Sequence, residues 1–563
     1  MSAPGTHNLA VLAEESYARH GDHPMVFFEG TWHSSGEIAE RSARVAGGLR
    51  ELGIEPGDRV VVLTMNTPEV FVSYRALWRL GAVVTPVIFL QTPPELRHIL
   101  EDSGATAAIV TPELLPLVRA ASEGLGLTVI VAGAVPAAPL VEPASEASGV
   151  ETNTVPSSAG GDRVGHLDKL DTTLDTPSPS GSGGSTSGAA EALVAYESLE
   201  SAEPIEIAPR GDDDLAALLY TGGTTGRAKG VMLSHRGLWE SGHALHRVGE
   251  SQGTTRWLLP LPLSHAYGLI VVISGMHSSR PQSSVLQRWF DAKGWLELAQ
   301  EHRVESSTVV PSMLQMLLDQ PYQNYDLSSL RSFGSGGAAL LPALREKAEE
   351  AFGVTILEGY GCTESSAVIA ASTVEESRPG SVGKPLSHAE VIIAGPGGEP
   401  VATGEEGEIW VRGPGVMQGY WNDPEQTAAT VVDGWLHTGD IGHFDADGYL
   451  YVDDRIKDLI IRGGFNVFPR DVEDALLAHE AVTAAAVVGR PDAQRGEEVI
   501  AVVALHPGAR TTPEELIAFA KTRLAAHKYP REIRILDAVP VTSVGKTDRK
   551  AVRSLVRTTE GES

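Results

Sequence analysis

The segment Tyr220-Thr-Gly-Gly-Thr-Thr-Gly-Arg-Ala-Lys-Gly230 gathers glycines, hydroxyls and one lysine into a single turn after the apolar run 215–220. A strand leading into such a loop presents backbone N–H groups, hydroxyl donors and a mobile cation, the set that holds a polyphosphate. It is not the P-loop of NTPases, because Arg227 and Ala228 separate Gly226 from Lys229. Gly359-Tyr-Gly-Cys-Thr-Glu364 follows a strand pattern at 355–357. A tyrosine between two glycines offers its ring as an unobstructed wall, and Glu364 is either a solvated loop residue or a hard oxygen for Mg²⁺. In His437-Thr-Gly-Asp440 a carboxylate is expected at a turn, where it accepts ribose hydroxyls or serves as an Asx-turn residue. Arg455 adds a cation to the same ligand or pairs with Asp453 or Asp454. Near the end of the chain, Gly545 reads as a turn that thrusts the Lys546 ammonium outward, an arrangement that says little by itself.

The elements around these segments alternate. A helix is expected at 37–52, a strand at 59–63, a helix beginning near Pro68, and strands at 83–87, 106–110 and 128–131. Such alternation indicates parallel α/β layers. Residues 407–412 and 448–452 read as strands of a β-rich region. The tail after 455–458 has its own pattern: helices at 471–479 and 513–524, and strands at 483–488, 499–505 and 532–536. The fold expected is therefore α/β, with a large N-terminal domain of parallel αβ layers plus a β-rich subdomain (1–456) and a small mobile α+β C-terminal domain (457–563). Residues 144–190, rich in Ser, Gly and Pro, cannot bury enough apolar surface to order themselves and read as a disordered insertion within the large domain or as a linker.

At 563 residues the chain exceeds one core. Its formal charge of −29, from 44 basic and 73 acidic residues, argues against a nucleic-acid partner and against docking on anionic membranes. The single Cys362 excludes an intrachain disulfide and a multi-cysteine metal site, and reads as a packing residue. Residues 1–14 lack the pattern of a signal peptide, and the apolar stretch 258–276 is broken by Pro260, Pro262, Ser264 and His265. A cytoplasmic chain without integral membrane association is expected.

Taken together, the segments at 221–230, Leu261-Pro-Leu-Ser-His265, 359–364, His437–Asp440 with Arg455-Ile-Lys-Asp458, and Gly545-Lys546 resemble the adenylate-forming superfamily of acyl-CoA synthetases, luciferases and peptide-synthetase adenylation domains, in the family's order. The resemblance implies ATP, Mg²⁺ and coenzyme A. It gives Thr221, Gly223, Thr224, Thr225 and Lys229 to the β- and γ-phosphates, and Tyr360 to adenine, with Gly337, Ala338, Gly361 and Thr363 beside it. Glu364 and Thr221 fall to Mg²⁺, Asp440 and Arg455 to the ribose, and Lys546 to the meeting point of the substrate carboxylate and the α-phosphate. It also implies a hinge at Lys457, about which the small domain rotates to bring Gly463 and Gly464 against a thiol tunnel. Ala228 departs from the proline usual in this loop.

His265, Gly268, Val310, Ser335 and Ala367, with Val309, fall where the family builds its acyl pocket. All but the histidine are small or apolar, and no acidic residue follows the Leu261-Pro-Leu motif to meet an amino acid's ammonium group. The expected activity is an ATP-dependent carboxylic acid–CoA ligase for a medium- to long-chain fatty acid. Delivery to an acyl carrier protein or another nucleophile is the first alternative, and a non-catalytic nucleotide-binding scaffold the second.

Overall fold

The computed structural model describes residues 7–133, 192–221, 227–250, 252–463, 465–492, 494–541 and 547–557. The expected alternation produces a sheet in which Leu215–Thr221, Val83–Pro86, Arg59–Leu63, Ala107–Val110, Thr128–Val131 and Ala192–Ala195 lie side by side in that order, all parallel. Apart from the exposed edge strand Ala192–Ala195, their Val-, Ile- and Ala-rich sequences are buried on both faces, as parallel strands require. Lys229–Ser234 then turns back antiparallel on Leu215–Thr221, with Lys229 opposite Thr221 at the end of the pair. The segment 144–190 lies outside the described residues. Its flanking strands Thr128–Val131 and Ala192–Ala195 pair directly, so the chain leaves and re-enters one sheet at this point.

A second sheet has Thr355–Tyr360, Ser332–Ser335, Ser306–Val309, Arg256–Leu259 and Ser283–Leu286 at its parallel centre. The helix Pro68–Leu80 lies between the two sheets' cores, and its Tyr74 hydroxyl and Trp78 indole reach carbonyls of Leu263 and Ala216. The β-rich region forms a third, antiparallel sheet from Glu390–Ala394, Gly407–Arg412, Trp435–Phe444 and Leu450–Arg455. The tail folds around Val482–Asp492 paired with Gly496–Leu505, with Glu532–Leu536 alongside and the helices Pro469–Leu477, Pro513–Lys521 and Arg549–Arg557 packed on it. It has its own apolar core of Val472, Leu476, Val487, Val503 and Leu516. No helix among the described residues is long and apolar enough to cross a membrane.

Candidate functional site

One cavity of about 1790 Å³ opens where the ends of the first and second sheets meet the third sheet and the tail. Its best-defined corner is built around Asp440. The motif suggests a turn for this carboxylate, but it lies inside the strand Trp435–Phe444. Pairing with Gly407–Arg412 is irregular between Glu408 and Trp410, and Gly439 takes a φ of 71° there. The bulge, which only glycine adopts without strain, turns the next side chain inward. Asp440 is thereby only 2% exposed. Arg455, its register partner on the neighbouring strand, donates from Nε to Oδ1 at 2.8 Å. The Tyr360 hydroxyl donates to Oδ2 at 2.7 Å. The two other possible partners of Arg455 are otherwise engaged: Asp453 binds His443 Nδ1 at 2.8 Å, and Asp454 accepts the backbone N–H groups of Arg455 and Arg470.

Tyr360 ends the strand Thr355–Tyr360, and the chain then folds back on itself. A Cβ on Gly361 would lie 2.1 Å from the Ala367 carbonyl oxygen, so the return requires glycine here. The fold-back places Ser366 and Ala367 at φ of 55° and 81°, held by Ala367 N–H to the Cys362 carbonyl at 3.0 Å and Ser366 Oγ to the Gly415 carbonyl at 2.7 Å. Burial, then the neighbouring Asp440 charge, push the Tyr360 phenol up, so it stays a donor. Burial also pushes the Cys362 thiol up, which makes it the inert packing residue expected.

Glu364 projects from the single turn Thr363–Ser365, and its Oε1 accepts from the Tyr420 hydroxyl at 2.9 Å. The Lys229 ammonium lies 5.0 Å from the centre of the same Tyr420 ring and donates to Gln426 Oε1 at 2.7 Å. Tyr420 thus connects the end of the glycine-rich loop to Glu364. Nothing in Gly419-Tyr420-Trp421 announces that role, because it depends on the short strand Gly419–Tyr420 adding to Lys229–Ser234. Thr221, Gly337, Ala338, Thr363, Arg455 and Lys457 line the same cavity. Burial first, then the Arg455 charge, push the Lys457 ammonium down.

Several expected residues stand apart. Gly223, Thr224, Thr225, Gly464 and Lys546 lie outside the described residues. Val541 and Thr547, which border the segment holding Lys546, form a bridge and line the cavity. Gly463 belongs to an exposed turn with φ of 61° that does not line it. In the acyl region, His265, Ser335 and Ala367 do line the cavity, but Gly268 and Val310 are corrected. A Cβ on Gly268 would meet the Pro262 carbonyl oxygen at 2.3 Å, so this glycine lets the helix Ala266–Met276 pack against the preceding loop. Strand alternation sends Val309 into the core with Phe333, and Val310 precedes the next helix without lining the cavity. Thr308 and Pro311 are the lining residues instead.

The cavity wall also holds buried polar atoms with no partner among the described residues: Ser264 Oγ, Ser335 Oγ and His437 Nε2. His437 stacks flat on Trp410, ring centres 3.9 Å apart. Such atoms cost free energy unless a ligand or water meets them. The donor set also tests a metal. Among the described residues no three His, Cys, Asp or Glu side chains cluster, so the site does not fit a stand-alone ion. One carboxylate, Glu364, with the Thr221 hydroxyl does fit Mg²⁺ shared with phosphate oxygens, since that ion takes few protein ligands when phosphates supply the rest.

Two parallel-centred sheets, a β-rich subdomain and a small α+β unit around one cleft define an adenylate-forming enzyme. The family described as AMP-binding enzyme matches residues 13–421, and the AMP-binding enzyme C-terminal domain matches 471–546. The chain is 36% identical over 529 residues to a feruloyl-CoA synthase of Amycolatopsis sp, covering 93% of this chain and 94% of that protein. It is 34% identical over 549 residues to a long-chain-fatty-acid–CoA ligase of Bacillus subtilis, covering 96% and 93%. Among solved structures it resembles the anthranilate CoA ligase AuaEII in complex with anthranoyl-AMP, with a TM-score of 0.81, 25% identity and coverage of 98% and 97%. The chain belongs to the AMP-binding enzyme family and is an AMP-forming acid–thiol ligase.

Proposed function

We propose that this protein joins a medium- to long-chain fatty acid to coenzyme A in two steps at this cavity. The observation that carries the reading is the continuity of one space. It is lined by Tyr360, Asp440, Arg455 and Glu364 at one side and by the apolar Trp257, Ile270, Val271 and Met276 at the other. A nucleotide on the first side and an acyl chain on the second meet near Ser335, Gly336 and His265.

In the first step a carboxylate oxygen of the acid attacks the α-phosphorus of ATP, and the bond to the pyrophosphate oxygen breaks. Asp440 and Arg455 hold the ribose, Tyr360 lies against adenine, and Thr221, Gly223, Thr224, Thr225 and Lys229 hold the phosphates. Glu364 and Thr221 would hold Mg²⁺, which would offset phosphate charge. Two anions must approach each other, so the compact point charge of Lys546 between them is the decisive group. The protein otherwise acts by positioning. In the second step the thiol of coenzyme A attacks the acyl carbon, AMP leaves, and the thiol proton passes to solvent. For that step the small domain (457–563) turns about Lys457 against the large one (1–456) and brings Gly463 and Gly464 to the cavity. The exposed, unstrained turn at Gly463 is compatible with such movement.

The test is a panel of aliphatic and aromatic carboxylic acids with ATP and Mg²⁺, following pyrophosphate and AMP with and without coenzyme A, and repeated with Lys546→Ala. Acid-dependent AMP release that requires coenzyme A and collapses in the variant is expected, with the best rates on aliphatic chains. Release indifferent to coenzyme A would move the acceptor to a carrier protein or another nucleophile. Best rates on cinnamic-type acids would move the substrate toward that of the feruloyl-CoA synthase relative.

A further inference from the structure

Among the described residues three arginines are buried: Arg75, Arg345 and Arg462. Arg345 holds Glu358 and Glu349, and Arg462 holds Glu498. Arg75, 7% exposed in the middle of the helix Pro68–Leu80, holds no carboxylate. Its one hydrogen bond among the described residues runs from Nη2 to the weak acceptor Met25 Sδ at 3.8 Å, and its Nε is buried without a partner. The carboxylate whose charge it feels, Glu14, is already bound to Arg79 one turn further along the helix. Burial accordingly pulls the Arg75 guanidinium down to about 10, which leaves it charged at neutral pH.

An isolated buried cation is unfavourable unless something meets it. Arg75 lines the cavity already described, together with Phe71 one turn before it, Met25 and Trp257. Its neighbour Tyr74 donates to the Leu263 carbonyl at 3.1 Å, in the motif assigned to the acyl region. The helix Pro68–Leu80 begins beside the 261–263 loop, where Asn66 Nδ2 donates to the Leu261 carbonyl at 2.8 Å and Asn66 Oδ1 accepts from Leu263 N–H at 2.9 Å. Arg75 is seven positions beyond Pro68, about 10 Å along the axis at the helical rise per residue. A guanidinium has donors and no acceptor, and its planar fork matches a carboxylate.

We infer that Arg75 is a specificity residue that binds a second carboxylate at the far end of the acyl substrate, so that the preferred acid is an α,ω-dicarboxylic acid. This rests on the ligase reading above and narrows its substrate class. The rest of the wall fits an aliphatic chain: Phe71, Trp257 and Ile270 offer apolar surface in the same cavity.

The experiment compares hexanedioate, dodecanedioate and hexadecanedioate with hexanoate, dodecanoate and hexadecanoate in the ATP- and coenzyme A-dependent assay, on wild type, Arg75→Met and Arg75→Lys. For at least one chain length the wild-type kcat/KM is expected to favour the diacid over its matched monoacid at least tenfold, chiefly through KM. That ratio is expected to fall at least tenfold in Arg75→Met and less in Arg75→Lys. A wild-type enzyme that favours monoacids at every length, or a diacid preference that survives Arg75→Met, overturns the inference and leaves the ligase reading standing. Should no acid be turned over, the ligase reading fails instead, and thermal shifts decide the inference. Diacid must then raise the melting temperature of wild type and not of Arg75→Met, and equal shifts or none would refute it. If Arg75→Met does not fold, the wild-type panel alone decides between diacid and monoacid.

Discussion

Asp440 satisfies two donors at once, the Tyr360 hydroxyl and the Arg455 guanidinium, from a position almost without solvent. The same carboxylate is proposed to bind the ribose, so those contacts hold it in place for a ligand. Asp440→Asn keeps the shape and removes the charge. A hydrogen bond to a charged group contributes about 1.5–3 kcal/mol, so KM for ATP is expected to rise roughly ten- to a hundredfold with a smaller change in kcat. Steady-state kinetics check this, and a KM within twofold of wild type would rule out the role. Lys546 is expected to behave differently, because its charge matters most as the two anions meet. Lys546→Ala should slow adenylation on the order of 10² or more, read in a single-turnover assay of acyl-adenylate formation. A loss seen only in KM would contradict that role. The carboxylate, tyrosine and lysine are legible as residue types because glycines and hydroxyls surround them in short motifs. Tyr420 is not, since its reach to Glu364 exists only after a two-residue strand adds to a distant sheet edge.

Elements decide what a residue type can do, and Gly268 shows how. Its smallness reads as room for an acyl chain, yet the structure uses it for close approach of the helix Ala266–Met276 to Pro262. Gly268→Ala is therefore expected to destabilise by roughly 1–3 kcal/mol as overpacking does, without shortening the preferred acid. A thermal melt and the acid panel separate the two readings, and a shortened preference at unchanged stability would restore the first. The same logic explains Val310: periodicity is legible, but which side of a strand faces a cavity depends on the packing around it. The turn expected at Asp440 fails for a related reason, since a bulge at Gly439 is hard to tell from a turn when only the residues are known. A second element-scale case is Asp454, whose carboxylate links the last strand of the third sheet to the first turn of Pro469–Leu477 by accepting Arg470 N–H at 3.1 Å. Burial raises it from 3.8 to about 6. The protonated form is favoured by folding, so its contribution is complete below about 3.8 and is lost as pH rises through about 6. The stability of wild type relative to Asp454→Asn is expected to fall by roughly 2–3 kcal/mol from acid to neutral pH. Thermal midpoints of both proteins at pH 4.5 and 7.5 measure it, and a constant difference would refute the assignment.

At the scale of the whole molecule, the alternating layers and the compact tail are legible because strand and helix periodicities differ and the tail carries a complete core of its own. How the tail meets the rest is not legible, since that depends on surfaces far apart in sequence. Here the tail's Arg470 donates its backbone N–H to Asp454 of the third sheet at 3.1 Å, and the tail's Asp458 and Arg549 line the cavity. Meanwhile Ile461 and Phe465 stand 54% and 58% exposed and do not line it, with Phe465 stacked on His527. Large apolar side chains left in water at one hairpin of a small domain are costly unless another state covers them. The proposed rotation about Lys457 supplies such a state, in which the face beside Gly463 is buried during thioester formation. Phe465→Ser removes apolar surface that only the rotated state would bury. It is expected to leave acid-dependent pyrophosphate release within about twofold of wild type. Fully burying a phenylalanine side chain contributes about 1.5–3 kcal/mol, so thioester formation should slow roughly ten- to a hundredfold. Pre-steady-state measurement of the two half-reactions resolves them. Equal slowing of both would place Phe465 in folding, and slowing of neither would mean that this face stays in water throughout the cycle.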